Sequence, residues 1–133
     1  MNHTKRIVIV GATSAIAGHC ARLWVTGAAV DLTLLGRDAV RMERVAADLR
    51  VRSPQSDIRV LQSDFLDPAA IAATVDAIVA PGAVDIALIA HGSLPVQHAC
   101  QEDLQACREA LDVNGISPVL YAEGFATHMA RSN

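Results

Sequence analysis

Aromatic residues are scarce in this chain: one Trp, one Tyr and two Phe make up 3 % of 133 residues. The core must therefore come from Ala, Val, Ile and Leu, and the apolar content of 52 % is ample for one. No apolar run approaches the roughly 18 residues that a membrane-spanning helix needs. The opening M-N-H-T-K-R-I-V-I-V-G lacks the long apolar region and cleavage site of a secretory leader. An excess of basic residues is also missing: the net charge is −3 and the cations alternate with acids, which argues against a nucleic-acid partner. The three cysteines (Cys20, Cys100, Cys107) are odd in number and lack zinc-type spacing, so no metal site is expected. They read as reduced thiols packed in a cytoplasmic protein.

What the chain does contain is an uninterrupted alternation of strand and helix signals, within a length that suits one domain. Residues 7–10 and 30–35 read as strands, and residues 58–62 as a short, edge-like one. Residues 84–90 are apolar apart from Asp85, so this strand is expected to be covered on both faces. Between them lie three helices. The first should turn Ile16, Cys20, Leu23 and Trp24 inward and stop at Gly27. The second is capped by Asp38 and buries Met42, Val45, Ala46 and Leu49, leaving Arg41, Glu43, Arg44, Asp48 and Arg50 outside. The third follows Asp67-Pro68, buries Ile71, Val75, Ile78 and Val79, and stops at Pro81-Gly82. One long helical segment should run from about residue 102 to about residue 129. This order predicts an α/β, Rossmann-like, doubly wound parallel sheet with strand order 3-2-1-4. Its ligand crevice falls where the order reverses, between strands one and four.

The first strand runs into G-A-T-S-A-I-A. Gly11 permits a sharp turn, and Thr13, Ser14, Ala15 and Ile16 enter a helix whose free N–H groups and positive dipole end favour an anion. That is a cradle for a nucleotide pyrophosphate; the alternative is a strand–helix turn with no ligand.

Five segments in order are similar to those of the short-chain dehydrogenase/reductase family: V-G-A-T-S-A-I-A at 10–17, L-G-R-D at 35–38, S-D-F-L-D at 63–67, I-A-H-G at 89–92 and V-N-G at 113–115. The wording of the first and fourth is most similar to a bacterial subgroup that includes reductases of polyprenyl-phosphate-linked keto-sugars. The family's usual T-G-x-x-x-G-x-G is altered here, because Ala15 and Ala17 replace its second and third glycines. The methyl of Ala15 would limit backbone freedom and crowd a pyrophosphate.

The resemblance implies a nicotinamide dinucleotide as cofactor. An acid at the end of the second strand favours NAD, but this chain offers Leu35, Gly36 and Arg37 there. A guanidinium can pair with a 2′-phosphate and stack on adenine, so NADP is expected over NAD; the alternative for Arg37 is a solvated surface charge. Asp31 lies at the wrong end of its strand for ribose. Carried over from the family, Asp64 accepts from the adenine amine and Phe65 adds backbone contacts, although an Asp here also suits a turn. Ala90, His91 and Gly92 match the family's N-A-G beside the cofactor ribose, with His91 in place of the commoner alanine.

Pro118 has no N–H, so the Asn114 carbonyl should be left free and the helix kinked. In the family the matching asparagine carbonyl holds a water that feeds the catalytic lysine, which makes Asn114 a candidate proton-relay element; the alternative is a plain kink. The family's catalytic Ser, Tyr and Lys have no counterpart. Tyr121 has Phe125, not Lys, four residues on, and Lys5 precedes the first strand. The resemblance thus implies the N-terminal half of a reductase, ending before a fifth strand. The parent reaction is hydride transfer between NADP(H) and a small-molecule carbonyl or alcohol. The chain alone is expected to be inactive and, with its fourth strand at an open edge, to self-associate. Two rivals stay open: a non-catalytic dinucleotide sensor, and a flavodoxin-like phosphate binder or receiver-type module. The second leaves Arg37 and Val113-Asn114 unexplained.

Overall fold

The computed structural model describes residues 3–132. Its strands are β1 (Lys5–Val10), β2 (Val30–Gly36), β3 (Asp57–Gln62) and β4 (Ile86–Ile89). They form one parallel sheet in the order β3-β2-β1-β4, as the alternation predicts. Central β1 is buried on both faces, and its side chains alternate between two cores. Ile7 and Ile9 join Leu32 and Leu34 beneath α1 (Ala15–Gly27) and α2 (Ala39–Arg52). Val8, Val10 and Leu35 join Ile71, Val75 and Ile78 of α3 (Pro68–Val79) on the other face. That second core is closed by Tyr121 and Phe125 of α6 (Ser117–Arg131). Helices on both faces make the sheet doubly wound.

Local chemistry sets the helix starts. The side chains of Ser14, Asp38 and Asp67 each accept a backbone N–H of the following turn, and Pro68 opens α3. At the far end of the sheet Arg6 ties several elements together. Its Nε bonds Asp31 Oδ2 at 3.2 Å, its Nη2 the Ile78 carbonyl at 2.9 Å, and its Nη1 the Gly82 carbonyl. Asp31, so occupied, stands away from the crevice, as expected.

Three expectations are corrected. The inner face of α1 is Ala17, Ala21 and Val25, whereas Ile16 and Leu23 are 71 % and 73 % exposed. Cys20 and Trp24 are only half-buried. Small side chains let the helix lie close on the sheet, and the larger apolar residues of the neighbouring stripe are left outside. β4 is shorter than expected, and all four of its residues are half-buried, because it pairs with β1 alone and forms the sheet edge. The long final helix is also broken. It divides into α4 (Gln97–Glu102), α5 (Leu104–Leu111), a π-helical turn (Asp112–Ile116) and α6. Asp103 separates α4 from α5 by capping the latter. In the π turn the Ser117 N–H reaches back five residues to the Asp112 carbonyl, and Pro118 sits in the first turn of α6. The expected kink at Pro118 is thus met by one extra residue in the turn.

Candidate functional site

The loops at the C-terminal ends of the strands surround a crevice of about 300 Å³, lined by Gly11, Thr13, Ser14, Gly36, Arg37, Asp38, Arg41, Phe65, Ala90, His91 and Gly92. It lies at the point where strand order reverses, next to β1 and β4.

Gly11 is the one described residue with a left-handed backbone that favours glycine, at φ +81°. A Cβ there would come within 2.5 Å of the backbone and Cβ of His91. The requirement is therefore double: the turn needs the conformation and the β4 loop fills the space. The Gly11 and Ala12 N–H groups both bond the Leu35 carbonyl, which fixes the turn to β2. The Ala17 N–H is taken by Ser14 Oγ at 3.1 Å. Among the described residues, the N–H groups of Thr13, Ala15 and Ile16 make no hydrogen bond. They are the unused donors of a helix N-terminus, a kind of end that favours an anion, and of the three residues only Thr13 lines the crevice itself.

At the end of β2, Arg37 and Arg41 enter the lining, and neither forms an ion pair among the described residues. The carboxylate beside them is already engaged, since Asp38 Oδ1 accepts the Arg41 N–H at 3.0 Å as the α2 cap. The Arg37 guanidinium lies over the Phe65 ring, 5.1 Å from its centroid. Phe65 in turn meets the His91 ring at 4.3 Å, and both meet Tyr121 edge-on. His91 Nε2 lies 2.9 Å from Ser117 Oγ, while its Nδ1 is buried without a partner. Burial, with Arg37 adding repulsion, lowers the imidazole pKa to about 4, so the ring is neutral near pH 7.

Across the Arg37–Phe65 pair a second groove opens, lined by Arg37, Gln62, Ser63, Asp64, Phe65 and Leu66. Asp64 belongs to it. Its Oδ1 accepts the N–H groups of Leu66 at 2.6 Å and Asp67 at 3.1 Å, and these bonds hold its carboxyl below the usual aspartate range. The turn role is therefore present in the structure, with Oδ2 left without a hydrogen bond among the described residues.

Of the residues singled out in the sequence, Gly11, Thr13, Ser14, Arg37, Phe65, Ala90, His91 and Gly92 come together around the crevice. Ala15 lines a separate groove between α1 and α2, and Ile16 is exposed in neither lining. Asn114 sits behind the crevice. Its Oδ1 accepts the Ser93 N–H at 2.6 Å and its Nδ2 donates to the Ser93 carbonyl at 2.9 Å, pinning the β4 loop to the π turn. Gly36, at the end of the second strand, and Arg41, exposed on α2 as expected, line the crevice too, a role the sequence did not assign them. Arg41 could have been found from its place three residues after the Asp38 cap, which puts it in the first turn of α2, beside the end of β2.

A doubly wound parallel sheet in the order β3-β2-β1-β4, with a glycine turn at its switch point, defines a Rossmann-like α/β protein. The comparisons narrow that class. Residues 5–133 match the family model described as short chain dehydrogenase, and the chain belongs to that family. No curated protein matches. Among solved structures, a short-chain type dehydrogenase/reductase from Mycobacterium ulcerans matches with TM-score 0.82 and 21 % identity, over 98 % of this chain and 49 % of that one. A short-chain type dehydrogenase/reductase from Mycobacterium marinum gives TM-score 0.84 and 21 % identity over 96 % and 51 %. An NADH-dependent reductase complexed with NAD gives 0.78 and 21 % over 97 % and 53 %. At these identities the likeness is one of fold, and the chain spans about half the length of these relatives.

Proposed function

We propose that residues 1–133 form the cofactor-binding unit of a cytoplasmic NADP(H)-dependent oxidoreductase that moves a hydride between nicotinamide and a small carbonyl or alcohol. The observation that carries this reading is the combination, in one crevice, of the Gly11 turn and the unused Thr13 amide that follows it with unpaired Arg37 and Arg41 at the end of β2. The residues fit the cofactor. Thr13, Ala15 and Ile16 N–H groups would hold the diphosphate, and the two guanidiniums would take the 2′-phosphate. Asp64 would accept the adenine amine through the oxygen that the turn leaves open. Ala90, His91 and Gly92 would wall the ribose. When bound, NADPH supplies the hydride.

Asn114 is assigned to the proton relay through its main-chain carbonyl, with its side chain fixing the β4 loop around the same point. Tyr121 is fully buried and donates to the Asp64 carbonyl, so it is no general acid. Lys5 begins β1, at the opposite end of the sheet from the crevice. On these grounds the 133-residue chain binds cofactor without turning over. The I-A-H-G and glycine-turn wording supports placement beside the polyprenyl-phosphate-linked keto-sugar reductases. The three cysteines, free in the structure, support a reducing compartment.

The test is a fluorescence titration of the chain with NADPH and NADH. NADPH should bind the tighter of the two. Arg37→Ala should weaken NADPH about tenfold, the value of one charge-assisted hydrogen-bonded contact, and leave NADH within about twofold. Equal affinity for both coenzymes in the unaltered chain would remove the NADP assignment.

A further inference from the structure

The hydroxyl of Tyr121 is the hub of a small buried network directly beneath the second groove. It donates to the Asp64 carbonyl at 2.8 Å and lies 2.9 Å from Ser63 Oγ. Ser63 Oγ lies 3.1 Å from Thr74 Oγ1 of α3 and also reaches the Asp64 carbonyl, at 3.2 Å. Asp64 is thereby gripped twice. The Tyr121 and Ser63 hydroxyls hold its main chain from below, and the Leu66 and Asp67 N–H groups hold its carboxylate from the side. The Tyr121 ring also stands edge-on to Phe65 at 6.0 Å and to His91 at 5.6 Å, so the same residue orients the stack beneath Arg37. A tyrosine buried in an aliphatic core needs a partner for its O–H. Here that partner is the main chain of the residue whose carboxylate faces the groove, supplied by a helix 57 positions away.

We propose that Tyr121 is a positioning residue that sets the preference of this site for adenine over other purines, by fixing the Asp64 carboxylate in the plane of an exocyclic amine. The inference rests on the dinucleotide reading above. A carboxylate discriminates between purines by hydrogen-bond polarity. It accepts from the 6-amino group of adenine and opposes the 6-oxo group of hypoxanthine. Such discrimination depends on the carboxylate being held in place, because a mobile one turns away from the wrong base at little cost. Without the Tyr121 hydroxyl, the Asp64 carbonyl keeps only the longer Ser63 bond, and the turn that carries the carboxylate is free to shift.

The experiment compares Kd for NADPH with Kd for its hypoxanthine counterpart, in the unaltered chain and in Tyr121→Phe, Ser63→Ala and Asp64→Asn, with a thermal melt of each. The unaltered chain should favour the adenine form by about tenfold or more. Asp64→Asn should abolish or reverse that ratio, since an amide can donate to a 6-oxo group. Tyr121→Phe should cut the ratio to about threefold or less. A purely structural role would lower the melting temperature and weaken both ligands equally, leaving the ratio intact, and that result overturns the inference. If Tyr121→Phe does not fold, Ser63→Ala is read by the same criterion. Equal binding of both purines by the unaltered chain also overturns it while sparing the dinucleotide reading. Binding of neither overturns both.

Discussion

His91 shows how one side chain can serve packing and the site together. Its backbone lies against Gly11, its ring stacks on Phe65, and its Nε2 meets Ser117. Because burial lowers its pKa to about 4 from 6.5, the folded state binds fewer protons than the unfolded state between those values. The stabilisation from the neutral ring is therefore complete above pH 6.5 and lost as pH falls toward 4. Below that both states are charged and no further loss follows. Urea unfolding across this window should show the unaltered chain losing stability relative to His91→Phe, with the two curves parallel above pH 7. The identity of His91 was visible in I-A-H-G, but its burial was not, because that depends on α6 arriving from a distant part of the chain. Gly11 was more legible: a glycine directly after an apolar strand implies a sharp turn, and the structure supplies both the positive φ and the close approach that exclude a side chain.

Elements were legible where caps and periodicity agreed. Asp38 and Asp67-Pro68 mark the starts of α2 and α3, and the helical spacing of Met42, Ala46, Leu49, Ile71, Val75 and Ile78 matches the faces that are buried. Periodicity failed on α1, where weight given to Ile16 and Leu23 hid the alanine stripe that packs. It failed again after residue 97, where Asp103 caps a separate helix inside the expected one, whereas Pro118 did mark the bend that the π turn takes up. That turn has a consequence for the site: the two side chains that reach back to the β4 loop, Asn114 and Ser117, lie in the π turn and at the first position after it. Asn114 makes two hydrogen bonds to the Ser93 main chain, resembling a strand pairing made by a side chain, and a longer one to Ser93 Oγ. Asn114→Ala should cost about 1–2 kcal/mol, as for a pair of net hydrogen bonds, and should speed amide exchange at Ser93 more than in β1 or β2. Uniform acceleration throughout the sheet would show that Asn114 acts on global stability and not on the loop.

Across the whole molecule the two edges of the sheet are not alike. β3 carries Arg59 and Asp57, which pair with each other and, through Arg59, with Asp31; charge of this kind discourages a further strand. β4 reads I-A-L-I, is half-buried and, among the described residues, pairs only with β1. The segment that follows it exposes Leu94, Val96, Leu104, Leu111, Ile116 and Val119. We propose that this apolar edge, flanked by exposed leucines, lets residues 1–133 on their own associate with a second copy at high concentration. Sedimentation velocity should therefore show a weight-average mass that rises with concentration. Leu104 and Leu111 stand seven residues apart on α5, at the two ends of one face, and neither belongs to either core. Changing both to Gln should lower the association without lowering the melting temperature. A chain that stays monomeric as concentration rises would mean that α5 and the β4 loop already shield the edge strand.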